Sequence, residues 1–372
     1  MTDSSSRQGV AILGATGSIG RQALDVIDRF PDRFHVYGLA SGRRAPDREA
    51  PVVIRGDDPD QEARLEALVT APEVDLVLMA IPGARALRPT LAALGARKRV
   101  ALASKEVLVM AGEAVMAAAG PLGSLLRPVD SEHSAIWQCL WGEAPDAIAR
   151  LVVTASGGPL WAHPEWDPEH LTVEQALAHP RWSMGPKVTV DSATLVNKAL
   201  EVIEAHYLFR MPMDRVDVLI NPQSVVHAIV EYRDGTAKAQ VGNPDMRAPI
   251  ALALSYPDRL PGVVPPTCFP DVGPLELHRL DPARFPAIGL AREAARRGMP
   301  YPAVLNAANE MAVTSFLAGR LPFREIVPTA ANALDAYRGE PATSLTEVLA
   351  ADEWARGHAR LRIGKVGSAW TS

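Results

Sequence analysis

Cysteine is scarce in this chain: 372 residues hold two, Cys139 and Cys268, far apart and in no ligand-like spacing. That argues against a disulfide framework and against a thiolate metal site. No apolar run reaches the roughly 18 residues of a membrane span. The N-terminal M-T-D-S-S-S-R-Q-G lacks the apolar core of a signal peptide, so a cytoplasmic location is expected. Excess positive charge is missing too. A net charge of -5 offers no basic field for nucleic acid. What remains is an ordinary soluble composition, 48% hydrophobic and 22% charged, long enough for two or three domains.

The first pattern with chemical content lies near the start. Gly9–Leu13 is a short apolar run ending in G-A-T-G-S-I-G, followed by helical spacing of Ala23, Leu24, Ile27 and Phe30. Strand, glycine turn and helix form the context of a dinucleotide fingerprint, here spaced G-x-x-G-x-x-G. Glycines let the backbone approach a pyrophosphate, whose charge the helix amides hold, and Thr16 and Ser18 add hydroxyls. An ordinary glycine-rich βα turn is the plainer alternative. A second strand at His35–Ala40 ends in Ser41-Gly42-Arg43-Arg44, without the acid that an NAD ribose needs. Two arginines there suit the 2′-phosphate of NADP(H). Further strands at Val74–Ala80 and Arg99–Ala103, with helices between, extend a doubly wound sheet. Lys105 follows the last of them. It faces the nicotinamide, a substrate, or an acid such as Glu106.

Polar groups crowd the segment from Pro128 to Glu204. Asp130 and Glu132 are two apart, which on a strand places both carboxylates on one face, suited to Mg²⁺ or Mn²⁺. Ser156-Gly157-Gly158 follows an apolar strand, Ile148–Ala155, and reads as an anion-cradling turn or a simple one. Thr172 with Glu174 and Gln175 marks a helix start. The loop H-P-R-W-S-M-G, carrying His179, Trp182 and Met184, is either a lid or a plug into the core. Val188–Val190 is expected as a strand. Asp191 or Ser192 would then cap a helix beginning near Ala193, with Leu195, Val202 and Phe209 buried. On that helix Asn197, Glu201 and Glu204 share one side, and Ser192, Asn197 and Lys198 make a phosphate clamp. Glu201 is available as a third metal carboxylate.

Strands at Arg215–Ile220, Val225–Tyr232 and Ala237–Val241 give the central sheet antiparallel character, the last two joined by R-D-G-T. His227 sits mid-strand, in core or pocket. Tyr256–Pro274 reads as a proline-rich connector. Helices at about Gly289–Arg297, Val304–Ala318, Pro322–Ala336 and Leu345–Ala359 form a bundle, with Gly298 and Gly319 as stops. N-A-A-N-E at Asn306–Glu310 is read as a docking face.

The ordered series P-V-D-S-E-H, S-G-G-P, H-P-x-W-S-M-G, V-D-S-A-T-x-x-N-K-x-L-E, P-Q-S-V-x-H, P-D-M-R-x-P-I and L-N-A-A-N-E resembles the 1-deoxy-D-xylulose 5-phosphate reductoisomerase family over nearly the whole chain. The resemblance implies conversion of that ketose phosphate to 2-C-methyl-D-erythritol 4-phosphate, an isoprenoid precursor, with NADPH and Mn²⁺, Mg²⁺ or Co²⁺. It puts metal ligands on Asp130, Glu132 and Glu201. Phosphate and substrate contacts fall on Ser131, Ser156, His179, Ser192, Asn197, Lys198 and Glu201. Lys105, Ser131, Glu132, His179, Trp182 and Glu204 fall in the catalytic set, and His227 at the pocket edge. Cofactor contacts fall on Thr16, Gly17, Ser18, Ile19, Gly42, Arg43, Arg44, Ser104, Glu106 and Gly185. Residues of about Ala176–Pro186 become the lid. A homodimer and susceptibility to fosmidomycin are implied as well.

The expected fold is α/β: a Rossmann-type parallel sheet over 1–127, a central α+β domain with a mixed sheet over 128–255, a connector over 256–284, and a helical bundle over 285–372. Ser104, Pro82, Pro186 and Asn221 depart from the family pattern. The alternatives in play are another NADP-dependent dehydrogenase of a phosphorylated substrate and an inactive nucleotide-binding scaffold. The first, if it acted on a semialdehyde, would need a nucleophilic cysteine, and neither Cys139 nor Cys268 is well placed.

Overall fold

A computed structural model describes residues 7–120, 124–182 and 184–370; Ser183, within the expected lid, lies outside them. In chain order the strands and helices are β1 Gln8–Leu13, α1 Ser18–Arg29, β2 Phe34–Ala40, β3 Val52–Ile54, α2 Gln61–Thr70, β4 Leu76–Met79, α3 Leu87–Gly95, β5 Arg99–Leu102, α4 Glu106–Ala119, β6 Leu126–Pro128 and α5 Ser131–Cys139. There follow β7 Ile148–Ala155, α6 Gly158–Ala162, α7 Val173–Leu177, α8 Pro186–Ala193, α9 Val196–Phe209, β8 Val216–Ile220, β9 Val226–Tyr232, β10 Ala237–Val241 and α10 Arg247–Ser255. The last are α11 Phe269–Val272, β11 His278–Arg279, α12 Ala287–Arg297, α13 Tyr301–Leu317, α14 Ile326–Ala336 and α15 Leu345–Trp370.

Two compact units share these elements. The first takes residues up to Val107, Glu113–Trp137 and Asp245–Pro266; the second takes Leu108–Gly112, Gln138–Pro244 and Thr267 onward. In the first, six parallel strands run in the order β3-β2-β1-β4-β5-β6. That is the dinucleotide-binding order, with its crevice where β1 meets β4. β1 and β4 are fully apolar inside because a parallel sheet is covered on both faces. Ile250, Leu254 and Val263 complete this core from far along the chain. Buried Arg127 ties the same stretch down, donating from Nη1 to Ala253 O at 2.8 Å. Burial holds its pKa down at about 10.

The second unit carries a mixed sheet, β10-β9-β7-β8-β11, in which β7 and β8 are parallel and the other pairs antiparallel. Its C-terminal part is helical. Gly298 and Gly319, at φ +77° and +68°, end α12 and α13 in the left-handed region that glycine tolerates. Thr172 caps α7 in a full capping box with Gln175.

Four local expectations are overturned. Val188–Val190 is not a strand but the middle of α8. Pro186 is the first residue of that helix, where its missing N–H costs nothing, and the Lys187–Asp191 pair spans one turn at 2.8 Å. Asp191 and Ser192 therefore lie inside α8 and cap nothing; the cap of α9 is Leu195 at φ +56°, which offers no side-chain bond. Asp130 and Glu132 do not share a strand face either. β6 ends at Pro128, so Asp130 precedes α5 and Glu132 lies in its first turn, where a carboxylate meets the positive helix end. Phe209 is only half-buried, unlike Leu195 and Val202.

Candidate active-site residues

The glycine turn owes its shape to backbone contacts. Gly14 sits at φ +99°, and a Cβ there would come within 2.3 Å of Ala80 O. A Cβ on Gly20 would lie 2.3 Å from Gly14 O, so α1 packs directly on the turn. Gly17 begins α1 with no side-chain cap, and Thr16, Ser18 and Ile19 are exposed or half-buried beside it. The first-turn amides of α1 are thus left to an anion or to water. After β2, Ser41 is buried while Gly42, Arg43 and Arg44 are exposed. Arg44 meets Asp47 at 3.0 Å with both side chains at least 70% exposed, a pair worth at most about 1 kcal/mol. Both guanidinium groups can turn to a phosphate at small cost.

Beyond β5, Ser104 is buried, and its hydroxyl donates to Ile81 O at 2.6 Å. It fastens the loop after β4, a role for this departure that needs no cofactor contact. Lys105 meets an acid: its Nζ stands 2.6 Å from Asp130 Oδ2, both side chains mostly buried. Glu106 is 8% exposed. Ser131 Oγ donates to Glu132 Oε2 at 2.6 Å.

In the second unit, α9 buries its charged residues almost as completely as its apolar ones. Lys198, Glu201 and Glu204 are 4%, 1% and 1% exposed. Glu201 Oε1 accepts from Asn197 Nδ2, and Oε2 accepts from Lys198 Nζ. An ionised acid tolerates such burial only when it is paired this way. Ser156 Oγ is 3.0 Å from His179 Nε2. His179 Nδ1 accepts the Arg181 and Trp182 amides at 3.2 and 2.9 Å, so the ring proton belongs on Nε2 and points at Ser156. Burial pushes this imidazole down to about 4, which keeps it neutral. Trp182 and Met184 are half-buried and Gly185 is exposed. His227 Nε2 is 3.2 Å from Gly242 O.

Ser192 is buried within α8, and a Cβ on Gly158 would come 2.6 Å from its carbonyl. The turn carrying Ser156 therefore lies against the backbone at Ser192. Asn221 is fully buried and saturated. Its Oδ1 accepts the Val225 and Val226 amides, and its Nδ2 donates to Gln223 and Glu276. Sequence reasoning missed Lys187 as Asp191's partner and Asn309 behind them both; the polar run N-A-A-N-E was the only signal.

The carboxylate, hydroxyl and amide donors fit a hard divalent cation better than a thiophilic one. Asp130 and Glu201 already face an ammonium group each, so both carboxylates tolerate a positive charge at their oxygens. For the cofactor, the fit rests on glycines that leave no room for a Cβ beneath an uncapped helix start.

Strand order and glycine turn place the protein among Rossmann-type dinucleotide-binding enzymes, here joined to a second unit rich in buried acids and hydroxyls. Residues 10–50 and 59–112 match the sequence profile of 1-deoxy-D-xylulose 5-phosphate reductoisomerase. Residues 126–209 match that of its C-terminal domain, and residues 241–358 match a further DXP reductoisomerase C-terminal domain. The 1-deoxy-D-xylulose 5-phosphate reductoisomerases of Anaeromyxobacter dehalogenans and Symbiobacterium thermophilum are each 47% identical over 95% of this chain, which spans 97% and 98% of theirs. The chain belongs to the 1-deoxy-D-xylulose 5-phosphate reductoisomerase family. A crystal structure of DOX-P reductoisomerase in complex with NADPH, fosmidomycin and magnesium superposes with a TM-score of 0.87 at 36% identity, covering 96% of this chain and 98% of that one. The Zymomonas mobilis enzyme in complex with NADPH gives 0.86 at 37%, with the same coverage.

Proposed function

We propose that the protein isomerises 1-deoxy-D-xylulose 5-phosphate and reduces the resulting branched aldehyde to 2-C-methyl-D-erythritol 4-phosphate. The observation that carries this reading is family membership at 47% identity over 95% of the chain, whose sequence has Asp130, Glu132, Glu201, Ser156, Ser192, Asn197 and Lys198 at the positions of the family motifs. When bound, the cation supplies Lewis acidity and NADPH supplies hydride.

The chain's own residues do the rest. Asp130, Glu132 and Glu201 are the carboxylates we assign to the cation. Lys198, Asn197, Ser192 and Ser156 hold the substrate phosphate, whose remote binding energy orients the reacting end. His179, neutral and already donating toward Ser156, can turn its Nε2–H to a phosphate oxygen without titrating. Trp182 and Met184 cover the substrate and exclude water. Lys105, beside Asp130, and Ser131 contact the substrate backbone, and Glu204 lies at the pocket edge. Thr16, Gly17, Ser18, Ile19, Gly42, Arg43, Arg44, Glu106 and Gly185 contact NADPH; Ser104 shapes their neighbourhood through Ile81.

Fosmidomycin-type phosphonates are expected to compete for the same phosphate residues. We also propose a homodimer working in the cytosol, as the family resemblance implies; no helix among the described residues is long and apolar enough to cross a membrane. Light scattering of the purified chain reads the dimer directly. For the reaction, the nicotinamide absorbance is followed with the ketose phosphate, with and without a chelator. Chelator-sensitive oxidation of NADPH is expected; substrate-dependent oxidation indifferent to chelator would rule the assignment out.

A further inference from the structure

A buried polar contact between α8 and α13 has no part in the residue roles above. Asp191 is 1% exposed, and its two oxygens are engaged separately. Oδ1 accepts from Asn309 Nδ2 at 2.8 Å, while Oδ2 faces Lys187 Nζ at 2.8 Å. Lys187 is on the same helix and already balances the charge, so Asn309 is not needed to neutralise it. Asn309 is itself 0% exposed, and its Oδ1 has no hydrogen-bond partner. An interior amide with an unsatisfied oxygen is a net cost that an apolar residue would avoid. What that amide adds is direction: one bond from α13 to a defined oxygen on α8.

The residue at the end of that bond adjoins Ser192. The carbonyl of Ser192 lies against Gly158, in the turn that carries Ser156. Leu195, held at φ +56°, then leads from α8 into α9, with Asn197 and Lys198 in its first turn. A shift of α8 along its axis would therefore move Ser192 directly. It would also disturb the Ser156 turn and the start of α9.

We propose that Asp191 and Asn309 are positioning residues for phosphate binding, so that the helical C-terminal part sets the geometry of the phosphate-binding wall. The inference rests on the phosphate role of Ser192 given above. Asn309→Ala should raise the KM for the sugar phosphate and the inhibition constant of inorganic phosphate together, each roughly tenfold, as a small misplacement does. The KM for NADPH should stay within about twofold, because the glycine turn is untouched. Calorimetric titration with inorganic phosphate gives the same reading without turnover.

In the exchange pair Asp191→Asn with Asn309→Asp, the amide at 191 donates to the carboxylate at 309 and its oxygen still faces Lys187. Recovery of most of the lost phosphate affinity is expected there, which a merely structural contact would not predict. Should either variant fold poorly by thermal melting, Asn309→Ser supplies the measurement. A lower melting temperature with phosphate affinity unchanged reduces the contact to docking and overturns the proposal. An equal rise in both KM values overturns it too. Ser192→Ala separates the two layers. If it leaves phosphate affinity intact, the phosphate reading fails and this inference falls with it; if it weakens binding and Asn309→Ala does not, only the inference fails.

Discussion

The glycine turn after β1 and the α8–α9 segment are both read as anion sites, yet they are built on opposite principles. In the turn, the first amides of α1 have no side-chain cap, and the close packing around them exists because atoms are missing: Gly14 and Gly20 leave no room for a Cβ. In α8–α9, charged side chains are packed into the interior and stay there only because each has a partner. A backbone site is therefore broken by adding an atom. A side-chain site is broken by removing a charge. Magnitudes separate them further: stripping one partner from a buried ion pair costs about 3–5 kcal/mol, whereas an exposed pair such as Arg44–Asp47 is worth at most about 1.

The sharpest way to break the side-chain half is Glu201→Gln, which keeps the shape and removes the charge. Turnover should fall by roughly 10²–10³-fold or more, while NADPH affinity, measured by fluorescence titration, stays near its starting value. Equal loss of both would make Glu201 a structural residue. The counterpart in the backbone half is Gly20→Ala. Its Cβ meets Gly14 O at 2.3 Å and Ala15 Cα at 2.6 Å, neither of which can yield. A destabilisation of about 1–3 kcal/mol is expected from such overpacking, with NADPH binding weakened and phosphate binding intact; unaltered NADPH affinity would refute the close-packed turn.

A smaller effect is set by pH. The His179 imidazole is held down to about 4 by burial, below its ordinary 6.5, so the fold resists a proton that the unfolded chain accepts. Its contribution to stability is complete above pH 6.5 and is lost as pH falls towards 4. His179→Gln should flatten that part of the melting-temperature profile, and a slope identical to that of the unaltered protein would contradict it. Smallest is Thr172→Ala, which removes the cap of α7 and should cost about 1 kcal/mol. Faster hydrogen exchange confined to Val173–Leu177 is the expected sign.

The same contrast explains what could be read from the residues alone. β1, the glycine turn and α1 are contiguous, and their pattern is local, so the doubly wound class of the first sheet followed from repetition of one unit, though β3 and the place of β6 did not. α8 was misread because V-T-V favours a strand when taken by itself. Pro186 was read only as a departure from the family pattern, whereas a proline at the first helical position is a beginning. Asp130 and Glu132 were placed on a strand by their two-residue spacing, but β6 ends at Pro128 and the chain enters α5 at Ser131. Lys105 stayed ambiguous because its partner, Asp130, is brought in by the fold of the sheet. Asn309 reaches Asp191 across 118 residues, a separation at which no spacing rule speaks. The polar run could be seen; its target could not.

Ala111 interrupts α4 with φ −146°, and the residue after it, Gly112, stands where a Cβ would fall 2.2 Å from the ring of Tyr207 on α9. For anyone dissecting the gene, this makes the tidy cut the wrong one. A fragment begun after Trp137 to isolate the second unit would leave out Leu108–Gly112, which cluster with it, and so strip the covering from the helix that carries Glu201. The second unit is thus built from separate stretches of chain, and a cut that follows sequence order cannot release it whole.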